Sequence, residues 1–194
     1  MCILSITRFN ASLLMDTPSP IKDRLYQIIQ DFTELKVLEG ITKDPDSISR
    51  QIFDKADLKS LEGDITENYE TFAESLMHFI LTNALISSQR KITLGKTEID
   101  IVIPDLKTLK DSSKDAIVIL FPKTDNSKLI LQRLEQLESI QPNKENIWLV
   151  QKINMGLTLK TYEIEGTGSF FNIIQDIKKS NAGKSQSKFK IFKV

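Results

Sequence analysis

The chain has 194 residues, of which 40% are apolar and 27% charged, with a formal net charge of zero. That is enough for one good core and ordinary for a water-facing globular protein. The zero is unevenly placed: six lysines and no acid lie between Lys178 and Val194, leaving a formal −6 on residues 1–177, so the body is not a general polyanion binder. A single cysteine, Cys2, excludes an internal disulfide framework and any cysteine-based zinc centre, and a single histidine, His78, excludes multi-histidine metal sites and argues against a histidine-dependent triad.

No apolar run reaches the roughly 18–20 residues needed to cross a bilayer. The first fifteen residues are interrupted by Arg8 and Asn10 and lack a small-residue cleavage site, and Met15 is an alternative start. The expectation is a soluble, cytoplasmic protein with no membrane partner.

In chain order, Ser19 before Pro20 opens a helix. Ile21, Leu25, Ile28, Ile29, Phe32 and Leu35 give it helical period, and Gly40 supplies a stop. A shorter helix follows the DPDS of residues 44–47, with Ile48, Ile52 and Phe53 on one side. The pair reads either as a helix-turn-helix on DNA or as a helical cap, and the lack of a basic stripe favours the cap. Residues 16–63 are therefore a helical N-terminal extension.

Asp64 and Glu67 stand at capping-box spacing before the longest helix, about 65–88. Its apolar stripe runs through Tyr69, Phe72, Ala73, Leu76, Phe79, Ile80 and Leu85, with His78 at the stripe's boundary. Glu67, Glu70 and Glu74 line one side of its first half, and the plain reading of these acids is a solvated, dipole-favoured face.

Residues 90–94 extend into a first strand. Thr97–Ile103 alternates, placing Ile99, Ile101 and Ile103 on one face and Glu98, Asp100 and Val102 on the other. A lysine-rich loop leads to the apolar run ending at Phe121, as expected of a strand buried on both faces, and Pro122 and Lys123 close it. A helix capped by Asp125 or Asn126 follows, then a buried strand at 146–152 and an edge strand at 157–164. Thr167 or Ser169 caps a last helix with Phe170, Phe171, Ile173, Ile174 and Ile177 inward. The predicted fold is α/β: a mixed central sheet flanked by helices over residues 64–179, with one antiparallel hairpin and one parallel crossover. Residues 180–194 read as a basic, mobile tail.

The words GKTEIDIVIPD and AIVILFPK, preceded by an acid-bearing helix and followed by helix and strand, resemble the PD-(D/E)xK phosphodiesterase superfamily. That group includes restriction endonucleases and archaeal Holliday-junction resolvases. The resemblance covers roughly residues 64–152 and implies a restriction-endonuclease-like core. By its pattern, Asp100 matches the motif aspartate, Lys123 the motif lysine, and Glu67, Glu70 or Glu74 the helix acid, with Glu74 the preferred candidate. The place of the second acid, two before Lys123, holds Phe121, and a phenyl ring cannot ligate a hard cation. Glu98, two before Asp100, is a migrated replacement on the alternating reading. The candidate catalytic set is then Asp100, Lys123, Glu98 and Glu74, with Asp100 and Glu98 as ligands to Mg²⁺ or Mn²⁺.

GKT at Gly95 and GKS at Gly183 are not phosphate-binding loops, since Arg90 and Lys178 stand where the required first glycine would be. Gly166 and Gly168 read as a turn rather than a phosphate cradle. In the tail, Lys184, Lys188, Phe189, Lys190, Phe192 and Lys193 interleave charge with aromatic surface, a pattern suited to single-stranded nucleic acid. Gln186, Phe189 and Phe192 also resemble the peptide with which replication and repair proteins dock on sliding clamps. Three functional readings follow. The leading one is a DNA- or RNA-associated protein whose nuclease-like core is diverged and inactive, acting as a binding or partner subunit. The second is an active Mg²⁺- or Mn²⁺-dependent nuclease using the migrated acid. The third is a protein-interaction scaffold that never touches nucleic acid.

Overall fold

The structure is a computed structural model and describes residues 19–166 and 169–180. Among the described residues, seven α-helices flank a five-stranded mixed sheet, in the order α1 (Pro20–Phe32), α2 (Glu34–Lys43), α3 (Pro45–Ala56), α4 (Ile65–Asn83), β1 (Gln89–Leu94), β2 (Thr97–Ile103), α5 (Leu106–Asp111), β3 (Ile117–Leu120), α6 (Ser127–Glu138), β4 (Ile147–Gln151), β5 (Lys160–Glu163) and α7 (Asn172–Lys179). The strands lie in sequence order. β2 runs antiparallel to both β1 and β3, while β3–β4 and β4–β5 are parallel. α6 makes the first parallel connection. The second is made by residues 152–159 without a helix, a shorter connection than parallel strands usually have.

The expected single helix to Gly40 is two helices. The chain breaks at Thr33, whose φ of 62° leaves the helical region while its hydroxyl accepts from the Lys36 N–H. Gly40 lies inside α2 rather than after it, for a packing reason. A Cβ there would sit 2.8 Å from Cγ1 and 2.9 Å from Cβ of Ile48 on α3. The missing side chain lets two helices approach closely. α4 ends at Asn83, five residues short of the expected end, and Leu85 does not join the apolar stripe: its φ is 55° and it is 86% exposed. The last helix is not capped by Ser169. That residue lies in a 3₁₀ turn (Ser169–Phe171), and its hydroxyl accepts from the Glu163 N–H; Thr167 lies outside the described residues.

Each face of the sheet has its own core. On one, Ile101, Ile103, Ile119, Phe121, Val150 and Tyr162 pack with α1–α4 and α7. On the other, Ile99, Val102, Val118, Leu120 and Leu149 pack with α5 and α6. The N-terminal helices share the first core. Phe53 of α3 stacks on Tyr69 at 6.1 Å and meets Phe72 and Phe170 edge-on at 5.3 and 5.6 Å, tying α3 to α4 and to the turn before α7.

The two cores expose a break in β2. Ile99 belongs to the α6 side and Ile101 and Ile103 to the opposite side, so the two-residue alternation fails across Asp100. Two features sit at the break. Lys91, opposite Asp100 in the β1–β2 register, has a φ of 50°, and the β2–β3 pairing stops at Ile101↔Ile119. Asp100 thus lies where neither neighbouring strand pairs regularly. Among the described residues, no helix is long and apolar enough to cross a membrane.

Gly40→Ala separates packing from propensity. Alanine favours an isolated helix by about 1 kcal/mol, but the clash with the branched Ile48 side chain opposes it. The expected outcome is a net loss of about 1–2 kcal/mol in urea unfolding.

Candidate functional site

The break in β2 is filled by charge. Asp100, 7% exposed, accepts the Phe121 N–H on Oδ2 at 2.8 Å, so its side chain supplies the cross-strand bond that the ended β2–β3 ladder does not. Arg133 reaches it from α6, with Nη2 at 3.2 Å from both carboxylate oxygens. Its Nη1 donates to the carbonyls of Phe121 at 3.2 Å and Pro122 at 3.5 Å. Lys123 lies on the other side, Nζ 3.8 Å from Asp100 Oδ1 and 2.7 Å from Glu74 Oε2. Arg90 of β1 donates to Glu74 Oε1 at 3.1 Å. Glu70, one turn before Glu74 on α4, accepts the Lys152 N–H on Oε1 at 3.0 Å and the Lys123 N–H on Oε2. It joins α4 to the ends of β3 and β4.

The cluster therefore holds three acids and three cations. Glu70 and Glu74 are each 1% exposed, whereas the side chains of Arg90, Lys123 and Arg133 keep 25%, 27% and 27%. The acids form the floor and the cations the rim. The helix acids are not a solvated face. Glu67 is exposed at the start of α4, while Glu70 and Glu74 are buried and paired. Lys123 has a φ of 59°, a left-handed conformation that costs a non-glycine residue about 1 kcal/mol or more. It is held from both ends, Glu70 taking its N–H and Glu74 its ammonium.

Burial pushes the Glu70 carboxyl up from 4.5 to about 7, against the pull of the Lys152 and Lys123 N–H groups and the Lys123 charge. Burial likewise raises Asp100, opposed by Arg133, Lys123 and the Phe121 N–H. Burial and the Arg90 charge lower His78, four residues after Glu74, despite the attraction of Glu74.

Of the residues singled out from sequence, Asp100, Lys123 and Glu74 come together. Glu98 does not. It is exposed, opposite Thr93 on β1. The break in alternation lies between the two acids, with Ile99 on one side of the sheet and Ile101 on the other, so the unbroken alternation that the expected Asp100–Glu98 pair assumed does not hold. The tail residues Lys184, Lys188, Phe189, Lys190, Phe192 and Lys193 lie outside the described residues. Gly166 sits in an ordinary turn at φ 72°.

Sequence reasoning missed Arg90 and Arg133 as members of the site. A signal was present. The chain has five arginines against twenty-one lysines, and where lysine is the default cation an arginine marks a place that needs a flat, multi-dentate donor.

The residues do not fit Mg²⁺ or Mn²⁺. Such an ion needs several oxygens free to face it, but both Glu70 oxygens accept main-chain N–H groups and both Glu74 oxygens meet cations. Both Asp100 oxygens meet Arg133. Among the described residues, no group of three or more His, Cys, Asp and Glu side chains is arranged to hold a metal ion. Comparison with known protein families, with curated proteins and with solved structures returns no match.

Two measurements check this picture. Asp100→Ala leaves the buried Phe121 N–H without its acceptor and Arg133 without its carboxylate, Lys123 keeping Glu74, and lowers stability by about 3 kcal/mol in urea. Asp100→Asn keeps an oxygen for the Phe121 N–H and costs less. For Glu70, the folded protein holds a proton that the unfolded chain releases between about pH 4.5 and 7. This group's contribution to stability is therefore highest below that window and falls as pH rises through it. Glu70→Gln lacks the effect, so the stability of the wild type relative to Glu70→Gln declines by up to roughly 3 kcal/mol from pH 4.5 to 8.

Proposed function

We infer that this chain is a nucleic-acid-associated protein whose diverged, nuclease-like core does not cleave, and that it acts as a binding or partner subunit. The observation that carries the non-catalytic part is the closed ion-pair cluster: Glu74 and Asp100 are occupied by Arg90, Lys123 and Arg133. The element order supports the resemblance to the PD-(D/E)xK superfamily. An acid-bearing helix, three antiparallel strands, a crossover helix and a parallel strand run from α4 to β4, with Asp100 beside the lysine that ends the third strand. Phe121, in the place of the family's second acid, is fully buried in the core and offers no ligand.

The nucleic-acid part rests on the partly exposed cations at the rim and on the six lysines from Lys178 onward. A phosphate backbone is attracted by such groups without regard to sequence. DNA or RNA would meet positive groups at the sheet end and the lysines of the tail.

Fluorescence anisotropy with single- and double-stranded DNA and RNA tests this reading. Binding is expected at low salt, weakening steeply as salt rises. Deleting residues 181–194 should lower affinity roughly tenfold or more and flatten the salt dependence. The same substrates should stay intact with Mg²⁺ or Mn²⁺. No binding at low salt, or metal-dependent cleavage abolished by Asp100→Ala, would overturn it.

A further inference from the structure

Two buried glutamines stand in contrast. Gln141 donates from its amide nitrogen to the Ser113 and Ala116 carbonyls, both at 2.8 Å, and its amide oxygen accepts the Asn143 N–H at 3.2 Å. That amide stitches the chain after α6 to the start of β3. Gln151, the last residue of β4 and 1% exposed, has neither amide atom hydrogen-bonded among the described residues. A buried donor and acceptor without partners weaken a fold, and an apolar side chain of the same length would pack there without that penalty.

The position of Gln151 gives the amide a use. Ile147 and Leu149 of β4 belong to the core under α6, and Trp148 and Val150 to the opposite core, so the alternation turns Gln151 to the α6 side. The pairs Val150↔Tyr162 and Gln151↔Glu163 keep that alternation regular to the strand end. Lys123 and Lys152 give their N–H groups to one carboxylate, that of Glu70. Pro122 and Gln151, one residue earlier on each chain segment, are therefore neighbours at about the 5 Å spacing of adjacent strands. Arg133, 27% exposed, reaches the Pro122 carbonyl with Nη1 at 3.5 Å. A guanidinium thus stands about one strand from an unbonded amide, at the carboxyl ends of parallel strands and beside the β2–β3 reversal. Open α/β sheets take their ligands at such a place.

We propose that Gln151 is the floor of a site for one unpaired nucleobase, with Arg133 beside it for the adjoining phosphate. The ligand class rests on the nucleic-acid reading above. A primary amide offers a donor and an acceptor side by side, which an unpaired base matches on its open edge. Access is through the connection 152–159, which has no helix or strand and turns at Gly156 with a φ of 73°. The Asn154 N–H pins it to Glu163 Oε1 at 3.1 Å, and Leu157 and Leu159 are only partly buried on the α6-side core. Ile153 and Met155 stand 58% and 36% exposed. A segment held this lightly opens more readily than the strands beneath it, and its outward apolar side chains can close on the face of a base.

Fluorescence anisotropy of the full chain at low salt tests the site with two end-labelled single strands of equal length, one bearing bases and one built from abasic sugars. The base-bearing strand should bind roughly tenfold tighter. Gln151→Met should erase that difference and, having no unbonded buried amide, should melt higher than the wild type by about 2–4 °C. Competition on the wild type needs no substitution: AMP should displace the base-bearing strand at roughly tenfold lower concentration than ribose 5-phosphate. Equal affinity for the two strands, or AMP no better than ribose 5-phosphate, overturns the proposal and leaves the nucleic-acid reading standing. Failure to bind either strand overturns both. A Gln151→Met variant that keeps the full difference, or that melts below the wild type as loss of a structural amide would make it, overturns the proposal alone.

Discussion

A buried carboxylate placed where a strand pair ends is the constraint on which the sheet end depends. β2 and β3 pair as far as Ile101↔Ile119, and Asp100 then carries the connection with its side chain, accepting the Phe121 N–H. That substitution brings a negative charge into the protein, and the rest of the cluster answers it. Arg133 crosses from α6, and Lys123 turns back through a left-handed backbone to reach both Asp100 and Glu74. Buried ion pairs of this kind add little net stability over a well-packed apolar patch, yet leaving one member alone is costly. Their effect is to fix which strand end meets which helix.

Glu70 extends the same logic along the sheet. Its two oxygens take the main-chain N–H groups of Lys123 and Lys152, the residues just past β3 and β4. Two parallel strand ends, which would otherwise diverge into loops, are tied to one turn of α4. Glu74, one turn later, does with cations what Glu70 does with N–H groups. Helix α4 is thus a polar clamp on the sheet end as well as an apolar lid on the sheet face. Phe72, Leu76 and Ile80 supply the second role from the same helix.

Much of the architecture was legible because it follows from apolar period and chain punctuation. The buried run ending at Phe121, the helix after Asn126 and the parallel pairing that a crossover requires all appear where those signals put them. The illegible parts are tertiary. Gly40 reads as a helix stop by composition, and only the approach of Ile48 shows why a helix interior tolerates it. Glu70 and Glu74 read as solvated because carboxylates usually are, and their burial depends on Lys123, Arg90 and two strand ends distant in sequence. Glu98 and Asp100 share a face only if the strand alternates without interruption, and the break opposite Lys91 lies in backbone geometry that residue type does not announce. At the site, the sequence held Asp100, Lys123 and Glu74 together but not the arginines that close it.

The kink at Lys91 has a reach beyond the site. β1 is an outer strand of the sheet, and a rim of unpaired donors and acceptors invites a foreign backbone to zip alongside. A left-handed residue after Gln89 and Arg90 interrupts the extended conformation of that row, and an exposed lysine there adds charge where an intruder would lie. The irregularity that gives Asp100 room on the inner side thus makes the outer side a poor template for uncontrolled sheet growth.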